Sequence, residues 1–191
     1  MNSAILIEEY DPAWQEQFTR LRDVYASHLG HLVIGIEHVG STSVPGLAAK
    51  PVLDIDLIVT DEGKLGHVIP ILEGLGYEYA GDLGIKDRYM FRMPSASVPM
   101  TGDGTVWPKH HLYCCIEHSI SLTNHLLLRN ALRADAELAT EYGRVKKGLA
   151  AAVTDIDDYV EGKSAFIAGV LSREGIAEAD IEDIAEQNRK K

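Results

Sequence analysis

Apolar residues recur along this chain in two rhythms, and each rhythm marks a type of element. After Asp11-Pro12, the residues Trp14, Phe18, Leu21, Val24, Tyr25 and Leu29 follow the spacing of one helix face. Ala4–Ile7 reads as a short strand before that helix, and Leu32–Val39 as a strand after it. Gly40–Pro51 gathers Gly, Ser, Thr and two prolines, which predicts a loop with little regular structure. Pro51 also disfavours a helical conformation at Lys50. Val52–Val59, rich in Val, Ile and Leu, reads as a buried strand. Glu62–Leu75 predicts a helix ended by Gly76, and Tyr77–Ala80 and Lys86–Met93 predict strands about a Gly81–Gly84 turn. Pro94–Pro108 is a polar loop, and His110–Glu117 is a further strand. Helices are predicted over Leu122–Leu132, Ala136–Val153 and Ile156–Leu171. Beyond Ser172 lies an acidic tail ending Arg189-Lys190-Lys191, either a short helix around Ile181 and Ile184 or a mobile segment.

Strands separated by a helix, then a run of helices, predict an α/β (α+β) fold. Its mixed sheet has helices on one side and a C-terminal helical cover. The length of 191 residues suits one domain over 1–172, with the C-terminal helices from about 121 included and 173–191 as a tail. The chain contains no internal repeat and no low-complexity segment.

Composition narrows the function. Hydrophobic residues make up 46% and charged residues 25%, the balance of a globular protein with a sizeable core. The longest apolar run, Val52–Val59, is too short to span a membrane and is broken by Asp54 and Asp56. The N-terminal run has no basic region followed by an apolar core, so the sequence predicts no signal peptide and a cytoplasmic location. A formal net charge of −11 opposes general nucleic-acid binding. A small phosphorylated ligand held through a cation stays open, because the cation reverses the local sign. Cys114 and Cys115 are adjacent on a predicted strand, where side chains point to opposite faces, so they are poorly placed to bridge.

Chemistry concentrates in two places. Gly40-Ser41-Thr42-Ser43 follows one strand and precedes another. Gly40 lets a backbone approach a ligand closely, and the three hydroxyls with their N–H groups suit phosphate oxygens. The competing reading is a tight turn whose hydroxyls cap their own backbone. The loop is neither a Walker loop nor a Gly-x-Gly-x-x-Gly dinucleotide fingerprint. Asp54 and Asp56, two residues apart on a strand, face the same way, roughly 6.5–7 Å apart. Two like charges among Val52, Leu53, Ile55, Leu57, Ile58 and Val59 are costly to bury without a cation or donors. Such oxygen ligands suit Mg²⁺ with a phosphate substrate. The competing reading is a strand end where both acids reach water or cap a helix.

Lys50, beside the acidic strand, and Arg88, at a strand start, are candidate phosphate contacts or solvated charges. Lys146 and Lys147 read as a solvated helix face. His111 and Tyr113 share a strand face and are candidates to point at the aspartates. His110, Cys114, Cys115, His118 and His125 lack the paired turn spacing of a closed zinc site, so ordinary core and surface roles are expected of them.

The loop and strand together, Gly40-Ser41, twelve residues, then Asp54-Ile55-Asp56, resemble the signature of the polymerase-β-like nucleotidyltransferase superfamily. The longer string from Glu37-His38-Val39 through Lys50-Pro51 to Asp56 is similar to the GrpB family within it. Tyr10–Trp14, Leu75-Gly76-Tyr77, Asp87–Phe91, Leu128–Arg133, Glu141-Tyr142 with Lys146, and Tyr159 with Gly162–Ile167 extend the resemblance from Ile5 to Leu171. The resemblance implies a nucleotidyltransferase fold whose Gly-Ser loop holds a triphosphate and whose carboxylates hold Mg²⁺. Superfamily enzymes usually add a third carboxylate from a neighbouring strand. This chain departs from the family at Tyr113, where His-Leu-His is usual, and at Asn130, where Asp is usual.

The expected function is therefore Mg²⁺-dependent transfer of a nucleotidyl group from a nucleoside triphosphate to an unknown acceptor. Asp54 and Asp56 are its metal ligands, and Gly40, Ser41, Thr42, Ser43, Lys50, Arg88, His111 and Tyr113 its substrate contacts. The alternatives are a catalytically silent nucleotide-binding or interaction module, and a phosphohydrolase using the same pair.

Overall fold

A computed structural model describes residues 5–187. Helix α1 (Ala13–Leu29) opens with the Asp11 carboxylate accepting the Ala13 N–H, and it buries Trp14, Phe18, Leu21, Tyr25 and Leu29 on one face. Strand β1 (Gly35–Val39) leads through a short 3-10 turn at Ser41–Ser43 to β2 (Leu53–Val59). Asp61 caps α2 (Glu62–Gly74) by accepting the Lys64 N–H. The strands β3 (Glu78–Tyr79), β4 (Arg88–Arg92) and β5 (His110–Ile116) follow. Ser119 caps α3 (Ile120–Ala134), and Asp135 caps α4 (Ala136–Ala152). Asp155 caps α5 (Ile156–Gly162), after which come α6 (Ser164–Arg173) and α7 (Glu178–Gln187). Each of these caps satisfies an N–H that the helix itself leaves unbonded.

The sheet order is β1-β2-β5-β4-β3. Only β2 and β5 pair in parallel, so the sheet is mixed, as expected. On β2, Leu53, Ile55, Leu57 and Val59 point into the core beneath α1 and α2, together with Leu112 and Cys114 of β5. Asp54 and Asp56 therefore occupy the opposite face, toward α3. A second apolar cluster lies among the C-terminal helices, where Ala131, Leu132, Leu138, Tyr142 and Val170 enclose Val44 and Leu47 of the loop. The loop between β1 and β2 is thus clamped between the sheet and the helices.

Two local expectations change, and one alternative is decided. The strand expected at Ala4–Ile7 does not form over 5–7, and Ala4 lies outside the described residues. Glu8 alone pairs, with Ala49 of the loop. The helix expected over Ile156–Leu171 breaks at Lys163. Gly162 approaches α4 so closely that a Cβ there would lie 2.5 Å from Leu149. The tail does form a helix around Ile181 and Ile184, while residues 188–191 lie outside the description. Among the described residues no helix is long and apolar enough to cross a membrane.

Candidate active site

The β1–β2 turn sits against Asp54. Gly40 has φ 67° and ψ −172°, a conformation open in practice only to glycine. A Cβ at Gly40 would lie 2.2 Å from Asp54 Oδ2. The space that the missing side chain clears is thus filled by the carboxylate, so Gly40 brings the backbone against Asp54. The Ser43 hydroxyl donates to Gly40 O at 2.6 Å, and the Thr42 hydroxyl bonds His38 Nε2 at 3.0 Å and Val52 O at 3.3 Å. Both hydroxyls brace the loop. The turn's internal bonds use the N–H groups of Ser43 and Val44, leaving those of Ser41 and Thr42 outside them. From α3, the Arg133 guanidinium donates to Ser43 O at 2.8 and 3.0 Å, and Arg129 donates to His38 O at 3.0 Å. Helix α3 is thereby tied both to β1, at His38, and to the loop, at Ser43.

Asp56 is fully buried, and the Asp54 side chain is 32% exposed. Each carboxylate has a histidine partner. His111 Nδ1 lies 2.9 Å from Asp54 Oδ1, and His125 Nδ1 lies 2.8 Å from Asp56 Oδ2. Burial pushes the Asp54 carboxyl up, but the His111 hydrogen bond and the charges of His111, His125 and Lys163 outweigh it and hold it below its ordinary value. His125 moves the other way: burial lowers it, and the Asp56 carboxylate more than compensates. Tyr113 stands between the two imidazoles, with ring centroids 6.2 and 6.1 Å away, and Arg88 lies 4.6 Å over its ring. Arg88 Nε and Asp56 Oδ1 are buried without hydrogen-bond partners.

Three lysines converge on Asp54 from different elements. Lys50, Lys146 and Lys163 all feel its charge. Burial pushes Lys146 down to about 7, helped by Lys163 and opposed by Asp54. Its Nζ donates to Ala48 O at 2.6 Å, and the residue is 2% exposed. The expectation that Lys146 belongs to a solvated face is thus corrected, whereas Lys147 is exposed and pairs with Glu9. Lys163 sits at the break between α5 and α6, with its ammonium 4.7 Å over the Tyr159 ring.

Asp54 and Asp56 provide hard oxygen donors of the kind Mg²⁺ accepts, and the unpartnered Asp56 Oδ1 is one more unspent acceptor. Two carboxylates plus substrate phosphates and water are a sufficient ligand set for that ion. The neighbouring-strand positions in register with the pair are Val39, Glu37, His111 and Tyr113. Glu37, the single acid among them, is claimed by Arg129. The residue beside Asp54 on β5 is thus a histidine. Asn130 is exposed on α3, where its side-chain oxygen accepts from Arg129.

Lys163 and His125 escaped the sequence reading as site residues. Their signal lay in the helical segments that resemble the family, and in a histidine one helix away from β5. Of the other histidines and cysteines weighed for zinc, His110 bonds Tyr77 on the opposite face, Cys114 is in the main core, and His118 is exposed.

Comparison with known proteins fits this geometry. The GrpB protein family matches residues 4–173. A UPF0157 protein of Halalkalibacterium halodurans is 34% identical over 173 residues, covering 90% of this chain and 83% of that protein. The crystal structure of the conserved protein GrpB from Enterococcus faecalis superimposes with a TM-score of 0.74 at 34% identity, covering 94% of this chain and 99% of that one. The Cid1 poly(U) polymerase with MgGTP bound shares the fold at a TM-score of 0.52 and 17% identity, over 73% of this chain and 43% of that one.

Proposed function

The chain belongs to the GrpB family, and we propose that it is a Mg²⁺-dependent nucleotidyltransferase, moving a nucleotidyl group from a nucleoside triphosphate to an unknown acceptor. One observation carries this reading: Asp54 and Asp56 share a sheet face, with Asp54 packed against the Gly40–Ser43 turn. The likeness in fold to Cid1 with MgGTP bound supports it.

Asp54 and Asp56 would hold the ion, which when bound neutralises phosphate charge and favours ionisation of an acceptor hydroxyl. Lys50, Lys146 and Lys163 offset the charge of the terminal phosphates. For Lys146, whose burial disfavours its proton, an arriving phosphate restores the charged form. The Ser41 hydroxyl and N–H, outside the turn's own backbone bonds, would be available to phosphate oxygens, while Thr42 and Ser43 keep the turn in shape. His111 orients the Asp54 carboxylate, and Arg88 and Tyr113 flank Asp56. Positioning and charge neutralisation are the main catalytic contributions in such chemistry.

A second reading is favoured by one residue. His111, and not a carboxylate, stands beside Asp54 on β5, which suits a nucleotide-binding module without turnover. Calorimetric titration with each nucleoside triphosphate, with and without Mg²⁺, tests binding, and pyrophosphate release tests transfer. Binding that is lost on chelation and in the Asp54→Asn/Asp56→Asn double variant is expected. A double variant that binds in Mg²⁺ as well as the unmodified protein refutes the site. Tight binding without pyrophosphate release from any acceptor mixture selects the silent module.

A further inference from the structure

We propose that Asp56, Cys115 and His125 form a second cation site, for a thiophilic divalent ion of the Zn²⁺ class, that shares Asp56 with the Mg²⁺ reading. Among the described residues this is the one set of three metal-ligating side chains whose donor atoms lie within 4.8 Å of one another. The set is drawn from three elements. Asp56 is on β2, Cys115 lies two positions beyond the Asp56 partner on the parallel strand β5, and His125 hangs from α3. Because Ile58 and Cys115 are in register, the thiol falls on the aspartate face of the sheet.

The donors suit such an ion. Tetrahedral Zn²⁺ has bonds of about 2.0–2.3 Å, which puts its ligand atoms roughly 3.5 Å apart. The donor atoms lie within 4.8 Å of one another, so ligation would require side-chain rotation that also opens the 2.8 Å contact between Asp56 Oδ2 and His125 Nδ1. Asp56 and Cys115 are both fully buried, and Asp56 Oδ1 has no hydrogen-bond partner. A buried polar atom left unpaired is costly and rare. A cation bound there coordinates the carboxylate and displaces to solvent the proton between Asp56 Oδ2 and His125 Nδ1. On binding, Cys115 releases its thiol proton to solvent and coordinates as thiolate, and His125 coordinates as the neutral imidazole. His125 is 21% exposed, which gives an entry route and a fourth position for water.

This chemistry differs from that of the Mg²⁺ reading. A thiolate and an imidazole select a softer ion, while Mg²⁺ prefers oxygen ligands. Asp56 is common to both sites, but Asp54 and the three lysines take no part in this one. The ion would pin α3 to β2 and β5. Through Arg129 and Arg133 the same helix grips the β1–β2 loop. Occupancy therefore stiffens the loop beside Asp54.

Cobalt is the probe. The full-length chain, reduced and metal-free, is titrated with Co²⁺ and followed by absorbance. One equivalent is expected to bind with a thiolate-to-cobalt charge-transfer band in the near ultraviolet, and Zn²⁺ should bleach that band. Cys115→Ser should abolish it. Cys114→Ser, which alters the neighbouring thiol in the opposite core, and Asp54→Asn should both keep it. His125→Gln should weaken cobalt binding at least tenfold, and this arm decides the matter if Cys115→Ser does not fold. A chain that gives no such band, or one whose band survives Cys115→Ser or is unaffected by His125→Gln, overturns the proposal. Loss of Mg²⁺-dependent nucleotide binding in Asp54→Asn with the cobalt band intact separates the two sites.

Discussion

Replacing Gly40 by alanine should damage the apo protein before any ligand is considered. The substitution has two costs. The backbone at φ 67°, ψ −172° lies in a region that residues with a Cβ avoid, at roughly 1–3 kcal/mol. The new Cβ would also lie 2.2 Å from Asp54 Oδ2 and 2.9 Å from Asp54 Cγ. Relieving that overlap means moving a carboxylate held by His111, at a further ~1–3 kcal/mol. For a chain of this size each kcal/mol lowers the melting temperature by about 2–4 °C, so a fall of roughly 5–20 °C is expected. Gly46→Ala is the control. It has the same positive φ, at 79°, but open space around the added Cβ. Backbone strain alone, roughly 1–2 kcal/mol, should lower its melting temperature by about 2–8 °C. Calorimetric melting of the two variants isolates the clash as their difference. A Gly40→Ala protein that melts no lower than Gly46→Ala refutes the argument. If it also keeps a normal melting temperature but loses nucleotide affinity, the glycine instead clears space for ligand.

Four further outcomes follow. Lys146→Met removes a buried ammonium and leaves Ala48 O without its donor, so it should weaken triphosphate binding at least tenfold and cost the apo protein about 1–3 kcal/mol, as read by titration and melting. Because Lys146 is pushed down to about 7 when folded, the unfolded chain holds its proton more firmly between there and its ordinary 10.5. Stability should therefore rise with pH across that window relative to Lys146→Met, and a flat difference between the two proteins would contradict the burial argument. His38 is buried against Phe18, and burial, opposed by Asp54 and aided by Arg133 and Arg129, lowers it from 6.5 to about 4. The unfolded chain takes up that proton first, so stability should fall as pH drops from 6.5 toward 4, by up to about 3 kcal/mol. His38→Gln should remove this part of the acid sensitivity in melting curves at pH 7 and pH 5. Finally, the net charge of −11 predicts that long RNA or DNA binds weakly beside Mg²⁺-nucleotide. Tight, steeply salt-dependent RNA binding without divalent metal, measured by anisotropy, would point to a basic face outside this site.

The site works by drawing its charges from distant parts of the chain. The two aspartates come from β2, the histidines from β5 and α3, and the lysines from the loop, α4 and the α5–α6 break. Opposite charges meet at a seam between two apolar clusters, so partial burial strengthens each pairing. The seam also explains why the β1–β2 loop is not a mobile lid. Val44 and Leu47 are packed among the helices, and Ser43 O is held by Arg133.

The local order of the chain was legible in its sequence because periodicity is a local property. A run of apolar residues with acids at alternate positions marks β2 and puts Asp54 and Asp56 on one face whatever surrounds it. The same holds for the buried face of α1 and for the strand order along the chain. Pairings across 57 residues, His111 with Asp54, and 69 residues, His125 with Asp56, leave no trace in spacing. They exist because β5 lies parallel beside β2 and because α3 crosses the face that α1 and α2 leave open. Lys146 lies on the buried stripe of α4 with Leu138, Ala139, Tyr142 and Gly143, but a lysine by its type reads as solvent-facing, and only the packing of α4 over the loop supplies the Ala48 carbonyl that receives its ammonium. The sequence thus determined which residues share a face, because that depends on a residue and its near neighbours. Which faces meet, and so which charges find each other, was decided by tertiary packing, because contact between distant segments depends on sheet order and helix placement.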